Sequence, residues 1–176
     1  MKRHLLLLAA ALTMSAAATA QNATEHYPVI EAGATLHYAH DFAAAKPNIG
    51  ADLRITCQLN EVMRVRALAN VTGFVANGFD RYGAALVGLS AGSGMAYGFA
   101  DLGISLYPSS ERLANPAADL GLGLRHDIAD RHHLLAETGI DFTTTRPDHW
   151  HGTLFLKIGY TFTLTKTTPQ WPTIQD

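Results

Sequence analysis

The sequence predicts an all-β protein, an eight-stranded antiparallel up-and-down transmembrane β-barrel preceded by a signal peptide. Three observations carry this expectation. The first twenty residues have the layout of an export signal, eight later segments alternate polar with apolar residues, and the connections between them alternate short with long.

The export signal comes first. Lys2-Arg3-His4 makes a basic start, an apolar run follows, and Ala18-Thr19-Ala20 places small residues at alternate positions before Gln21. That is the layout of a cleaved secretory signal peptide. The run is too short to cross a bilayer as a helix, which takes about 20 apolar residues; the alternative reading is an uncleaved anchor. Absence of a cysteine from the first thirty residues removes a lipoprotein attachment site. The expected organisation is a signal peptide at 1–20, a short periplasmic lead at 21–28, a barrel domain at 29–164 and a periplasmic tail at 165–176.

Loss of Lys2 and Arg3 with the signal leaves 156 residues with 11 basic against 15 acidic side chains. This mildly acidic balance gives no electrostatic case for nucleic acid, whose binders carry basic patches. Cys57 is the sole cysteine, so no internal disulfide supports an exported chain of this size. No long apolar run follows residue 20, leaving either a soluble periplasmic domain or a membrane barrel.

Strand signals follow in chain order, each read from two-residue periodicity. In 29–41, Ala32, Ala34, Leu36 and Tyr38 oppose Glu31, Thr35 and His37. In 49–59, Ile49, Ala51, Leu53, Ile55, Cys57 and Leu59 oppose Asp52, Arg54, Thr56 and Gln58. In 62–74, Met63, Val65, Ala67, Ala69 and Val71 oppose Arg64, Arg66, Asn70 and Thr72. Segment 81–91 is weaker, with Gly and Ala on both faces. In 95–107, Ala100, Leu102, Ile104 and Leu106 oppose Asp101, Gly103 and Ser105, although Tyr97 and Phe99 share the polar face. In 118–127, Ala118, Leu120, Leu122 and Leu124 oppose Asp119, Gly121, Gly123 and Arg125. In 132–143, Leu134, Ala136, Ile140 and Phe142 oppose Glu137, Gly139 and Asp141. The pattern is clearest in 152–164, where Leu154, Leu156, Ile158, Tyr160, Phe162 and Leu164 oppose Thr153, Lys157, Gly159, Thr161 and Thr163.

Asn60-Glu61, Gly92-Ser93-Gly94 and residues 128–131 read as tight hairpin links, whereas 42–47, 75–80, 108–115 and 144–151 read as longer loops. Short turns at one rim and long loops at the other are the layout of outer-membrane barrels. The two faces agree with it. Charges of both signs, Asp52, Arg54, Arg64, Arg66, Asp101, Asp119, Arg125, Glu137, Asp141 and Lys157, fall on the polar face, and the apolar face carries essentially none in its centre. An Arg or Lys facing lipid at mid-bilayer costs about 2–4 kcal/mol, so a lipid face should be this clean. Tyr38, Tyr160 and Phe162 lie near strand ends on the apolar face, as interfacial aromatics do.

The last strand carries a recognisable pattern. Lys157, Gly159, Phe162 and Leu164 within Lys157-Ile158-Gly159-Tyr160-Thr161-Phe162-Thr163-Leu164 form a β-signal-like segment, a polar residue, a glycine two positions on, then alternating hydrophobes. With the export signal and hairpin layout, residues 29–164 resemble the small eight-stranded outer-membrane barrels of the OmpX/OmpA transmembrane type. The resemblance implies residence in the outer membrane, outer-membrane lipid and the barrel-assembly machinery as partners, an unknown ligand at the outer loops, and no cofactor. One departure is the tail from Lys166 to Asp176, which contains Pro169, Trp171 and Pro172 and is too short for a peptidoglycan-binding domain.

Candidate chemistry is sparse. Asp148 and His149-Trp150-His151 place possible zinc or copper ligands in the longest expected loop, but spacing fixes no third or fourth ligand. His132-His133 is weaker, since neighbours on a strand point opposite ways. A hydrolase would need a serine activated by a histidine; His37, His126 and His133 stand as candidates beside Ser90 and Ser105, with nothing selecting a pair. Cys57 reads as a small outward hydrophobe, and the sequon-like Asn70-Val71-Thr72 lies inside a strand. An eight-stranded barrel is just wide enough for side chains to fill, so the inward charges read as a paired plug. The expectation is a non-enzymatic outer-membrane barrel. A soluble periplasmic barrel binding a small hydrophobic ligand and a lipid-modifying outer-membrane enzyme are the alternatives.

Overall fold

The computed structural model describes residues 29–41, 46–74, 81–92, 95–106, 114–146 and 149–165. Eight strands follow one another: β1 (Val29–Asp41), β2 (Lys46–Gln58), β3 (Met63–Phe74), β4 (Arg81–Ala91), β5 (Ala96–Leu106), β6 (Asn115–Ala129), β7 (His132–Arg146) and β8 (His149–Thr165). Each pairs antiparallel with its successor, and β8 returns to β1 through Ala32↔Phe162, Leu36↔Ile158 and Asp41↔Thr153, closing the sheet in up-and-down order.

Strict alternation sorts the side chains. Along β5 the inward set is Tyr97, Phe99, Asp101 and Ser105, and the outward set includes Leu102, Ile104 and Leu106. The ambiguous strand β4 resolves the same way, with Leu86 and Ser90 inward and Val87 and Leu89 outward. Among the described residues, eight buried side chains are apolar and 21 are polar or charged, while 26 large apolar residues are exposed. The barrel is therefore apolar outside and polar inside, the reverse of a water-soluble domain.

The short-turn rim is stitched by side chains and backbone. Asn60 Oδ1 accepts the amides of Val62 at 2.9 Å and Met63 at 2.7 Å, an Asx turn that fixes the β2–β3 hairpin. The Gly92 amide donates to the Val62 carbonyl at 3.0 Å, and the Thr163 amide to that of Arg131 at 2.9 Å.

The opposite rim differs from the loop lengths read in sequence. β2 begins at Lys46 and β6 at Asn115, so Pro47 and Pro116 are strand residues. Each is the second residue of its strand, close to the start where a missing amide is tolerated. The stretch 144–151, read as the longest outer loop, is mostly ladder. Arg146 pairs with His149 after a register shift between Thr144 and Arg146, leaving two residues between the strands. The bulge lets pairing continue past a segment whose Pro147 suggested a loop. The expected contrast of long and short connections therefore fails at this hairpin.

Two inward aromatics fit because of what lies opposite them. Tyr97 pairs with Gly123 and Phe99 with Gly121. A Cβ at Gly123 would collide with the Tyr97 ring, so only glycine allows the ring to lie flat across β6. Gly123→Val should destabilise the barrel by about 1–3 kcal/mol, the usual range for overpacking. The check is a lowered midpoint of urea unfolding in detergent micelles.

Candidate functional site

The chemistry-bearing side chains converge inside the barrel. Glu137 on β7 is 1% exposed and takes four donor contacts from two arginines. Arg54 on β2 donates to both carboxylate oxygens, at 2.8 and 2.7 Å, in the fork-to-fork arrangement that makes the strongest charge-assisted pairs. Arg66 on β3 approaches the same oxygens at 3.0 and 3.4 Å, and the Tyr97 hydroxyl donates at 2.7 Å. Arg66 also places Nε 3.1 Å from Asp101 Oδ1, an ion contact off hydrogen-bond alignment, and stacks 4.2 Å from the Phe99 ring centroid.

A second centre surrounds Lys157 on β8. Its ammonium donates to Asp119 Oδ2 at 2.9 Å, lies 3.3 Å from Asp52 Oδ2, and sits 4.4 Å from the Phe155 ring centroid. Asp52 also accepts from the Thr35 hydroxyl at 2.9 Å, the Asn70 amide at 2.5 Å and His37 Nδ1 at 3.2 Å. Four side chains, Thr35 and His37 of β1, Asn70 of β3 and Lys157 of β8, thus converge on Asp52.

The third centre lies at the short-turn end. Arg125 on β6 donates to Glu31 Oε1 at 2.6 Å and through Nε to Asp127 at 3.0 Å. His133 Nδ1 meets the same Asp127 oxygen at 2.6 Å, and its Nε2 shares a hydrogen bond of 2.8 Å with the Thr163 hydroxyl. Arg64 stands apart, half-buried, with its guanidinium 5.9 Å from the Tyr97 ring centroid.

Of the charged residues singled out in sequence, the structure gathers Arg54, Arg66, Asp101 and Glu137 into one network and Asp52, Asp119 and Lys157 into another. Asp141 sits half-buried on the same face, opposite Asp119 and Thr153. Sequence reasoning missed the neutral partners, Tyr97 on Glu137 and Thr35, His37 and Asn70 on Asp52. Their only signal was position on the polar face. It also missed inward apolar residues, since Leu68, Leu86, Leu135 and Phe155 break the alternation and are buried.

In the β-signal-like segment, Lys157 and Gly159 face inward, Phe162 and Leu164 outward. A Cβ at Gly159 would strike the Ala34 carbonyl and Thr35, so this glycine lets β8 close tightly on β1. His132 bonds the Tyr160 hydroxyl and packs edge-on against Phe162, forming an outward aromatic cluster near the short-turn rim.

The hydrolase candidates are spread through the barrel. Ser105 bonds the Thr143 hydroxyl at 2.7 Å, His37 is engaged with Asp52, His133 is at the far rim with Asp127, and His126 is exposed. His132 points outward and His133 inward. Asp148 and the side chains of His149, Trp150 and His151 lie outside the described residues. Among those described, no group of three or more His, Cys, Asp or Glu is placed to hold a metal.

Glu137 should couple strongly to Arg54 in stability. Glu137→Ala leaves two buried arginines competing for compensation and should cost about 3–5 kcal/mol. Arg54→Met combined with Glu137→Leu should cost less than the sum of the two single changes. A double-mutant cycle on urea unfolding in micelles checks this; strict additivity would contradict the pairing.

The sequence matches no protein-family model and no curated protein. Solved structures share the fold. Neisserial surface protein A superposes with a TM-score of 0.55 at 11% identity, covering 77% of this chain and 96% of that one. The N-terminal β-barrel domain of Pseudomonas aeruginosa OprF gives 0.50 at 12% identity, covering 77% and 100%. In fold, the chain resembles small eight-stranded barrels of the outer membrane.

Proposed function

We propose that this protein is a non-enzymatic outer-membrane β-barrel, exported by residues 1–20, with a lumen filled by charge-paired side chains. It serves the envelope structurally or through its outer loops. The observation that carries the reading is the inversion of polarity: buried ion pairs run through the interior, and an apolar surface girdles the outside. A ligand-binding soluble barrel would put its apolar face inward. Here Leu36, Leu53, Leu102 and Leu122 are all at least two-thirds exposed, at 71, 67, 70 and 68%. Such a surface is costly in water and at home in lipid. The closed ladder adds support, because a spanning sheet must satisfy its backbone groups internally. The shared fold with outer-membrane barrels points the same way.

The same geometry supports a lumen plug. Glu137, Asp52, Asp101 and Lys157 are 2% exposed or less; Glu137 on β7 is met across the ring by Arg54 of β2 and Arg66 of β3, and the others pair over an intervening strand. Pairs that cross the interior occupy the space a pore would need. Outer-membrane lipid and the barrel-assembly machinery are the partners this reading requires, with any further ligand at the outer loops.

Membrane residence predicts extraction by detergent, with an unboiled form that migrates faster on a gel than the boiled one; recovery in the soluble periplasmic fraction would sink the proposal. Mature protein should begin at Gln21 on N-terminal sequencing. Leu102→Arg separates the two solvents directly. It should destabilise a bilayer-embedded barrel by about 2–4 kcal/mol, whereas on a water-facing surface it would change stability by under about 0.5 kcal/mol.

A further inference from the structure

Toward the short-turn end of the interior lies a cavity lined by four arginines, Arg54, Arg64, Arg66 and Arg125, with Glu31 and Thr161. It offers ≈ 20 Å³ to the centre of a water-sized sphere. One water needs about 10–15 Å³ on that measure, so the space takes a water or two, or one small ion.

The carboxylates around it are unevenly shared. Arg54 and Arg66 share Glu137, Arg66 also touches Asp101, and Arg125 holds Glu31 and Asp127. Arg64 has no carboxylate at ion-pair distance among the described residues, although its guanidinium lies against Tyr97. Three hydrogen-bonding atoms of the lining residues are also unused. Arg54 Nε, Arg64 Nε and Thr161 Oγ1 are buried with no hydrogen-bond partner. Arg54 is 5% and Thr161 1% exposed, so water at the surface does not serve them. Buried donors without partners are rare and costly.

We propose that this cavity binds a small monovalent anion of halide size, held by Arg54 Nε, Arg64 Nε and the Thr161 hydroxyl. A single anion accepts from all three donors and offsets the charge of Arg64. A water accepts two hydrogen bonds and leaves the charge unopposed. The cavity's size sets the selectivity: chloride and bromide enter, and tetrahedral sulfate or phosphate does not. The site is independent of where in the cell the barrel resides.

Native protein in detergent micelles provides the test. At matched ionic strength, the thermal unfolding midpoint should rise saturably with chloride or bromide and stay flat with sulfate or gluconate. Crystals grown in bromide should show an anomalous peak within hydrogen-bond distance of Arg54 Nε and Thr161 Oγ1. Thr161→Val keeps the shape but deletes one donor, and should raise the half-saturating chloride concentration about tenfold, as for a lost bond to a charged group. Arg64→Gln should abolish the chloride response. Should Arg64→Gln fail to fold, Thr161→Val and the native bromide crystals decide. Equal stabilisation by sulfate and chloride, or a water without anomalous signal at saturating bromide, would overturn the proposal.

Discussion

Pairing of β8 with β1 gives every strand two neighbours and leaves the sheet no free edge. Everything else in the barrel rests on that closure. With the strand backbone groups engaged around the ring, neither face has to supply partners for an exposed edge. The outward residues are then free to be mainly apolar and the inward ones mainly polar. Gly159 belongs to this constraint as much as any charge does, because a side chain there would hold β8 away from β1.

The interior solves a different problem. A ring of eight strands encloses a narrow space that side chains must fill at protein density. Charged residues fill it here in opposed sets, and each set draws on several strands. Glu137 ties β7 to β2 and β3, while Lys157 ties β8 to β6 and β2. Replacing such ion pairs by apolar residues is often neutral in energy. Their contribution is to specify which walls face each other, since one unpaired member is expensive. Tyr97 and Phe99 serve the same interior from its apolar side, each resting over a glycine of β6.

The strands and their facing were legible in the sequence because two-residue periodicity survives without tertiary knowledge. Segment 152–164 needed nothing else to place Lys157 inside and Ile158 outside. Strand ends were less legible. Loops read at 42–47, 108–115 and 144–151 are shortened by strands that begin at Lys46 and Asn115 and by pairing that reaches Arg146 and His149. Which charges meet was not legible at all. Arg54 and Glu137 are 83 residues apart in sequence, and their approach depends on the register of every strand between them. The same reason hid His37 and Asn70, whose role as partners of Asp52 is set by the β1–β2 and β2–β3 alignments. Leu68, Leu86 and Phe155 were hidden by chemistry, being apolar residues on a polar face.

The separation of Arg54 and Arg66 from Glu137 also bears on the order of events during assembly. Each hairpin can form from neighbouring residues alone, but the two arginines of β2 and β3 do not meet Glu137 until β7 has arrived. Lys157 on β8 is later still to reach Asp52. A sheet of the first six strands leaves Arg54 without the carboxylate that holds it in the closed barrel, whereas Arg66 has Asp101 of β5 and Arg125 has Asp127 of β6. The interior is thus electrically complete only with its last hairpin: Glu137 and Lys157, carried by the final two strands, supply the counter-charges that Arg54 and Asp52 of β2 lack until then.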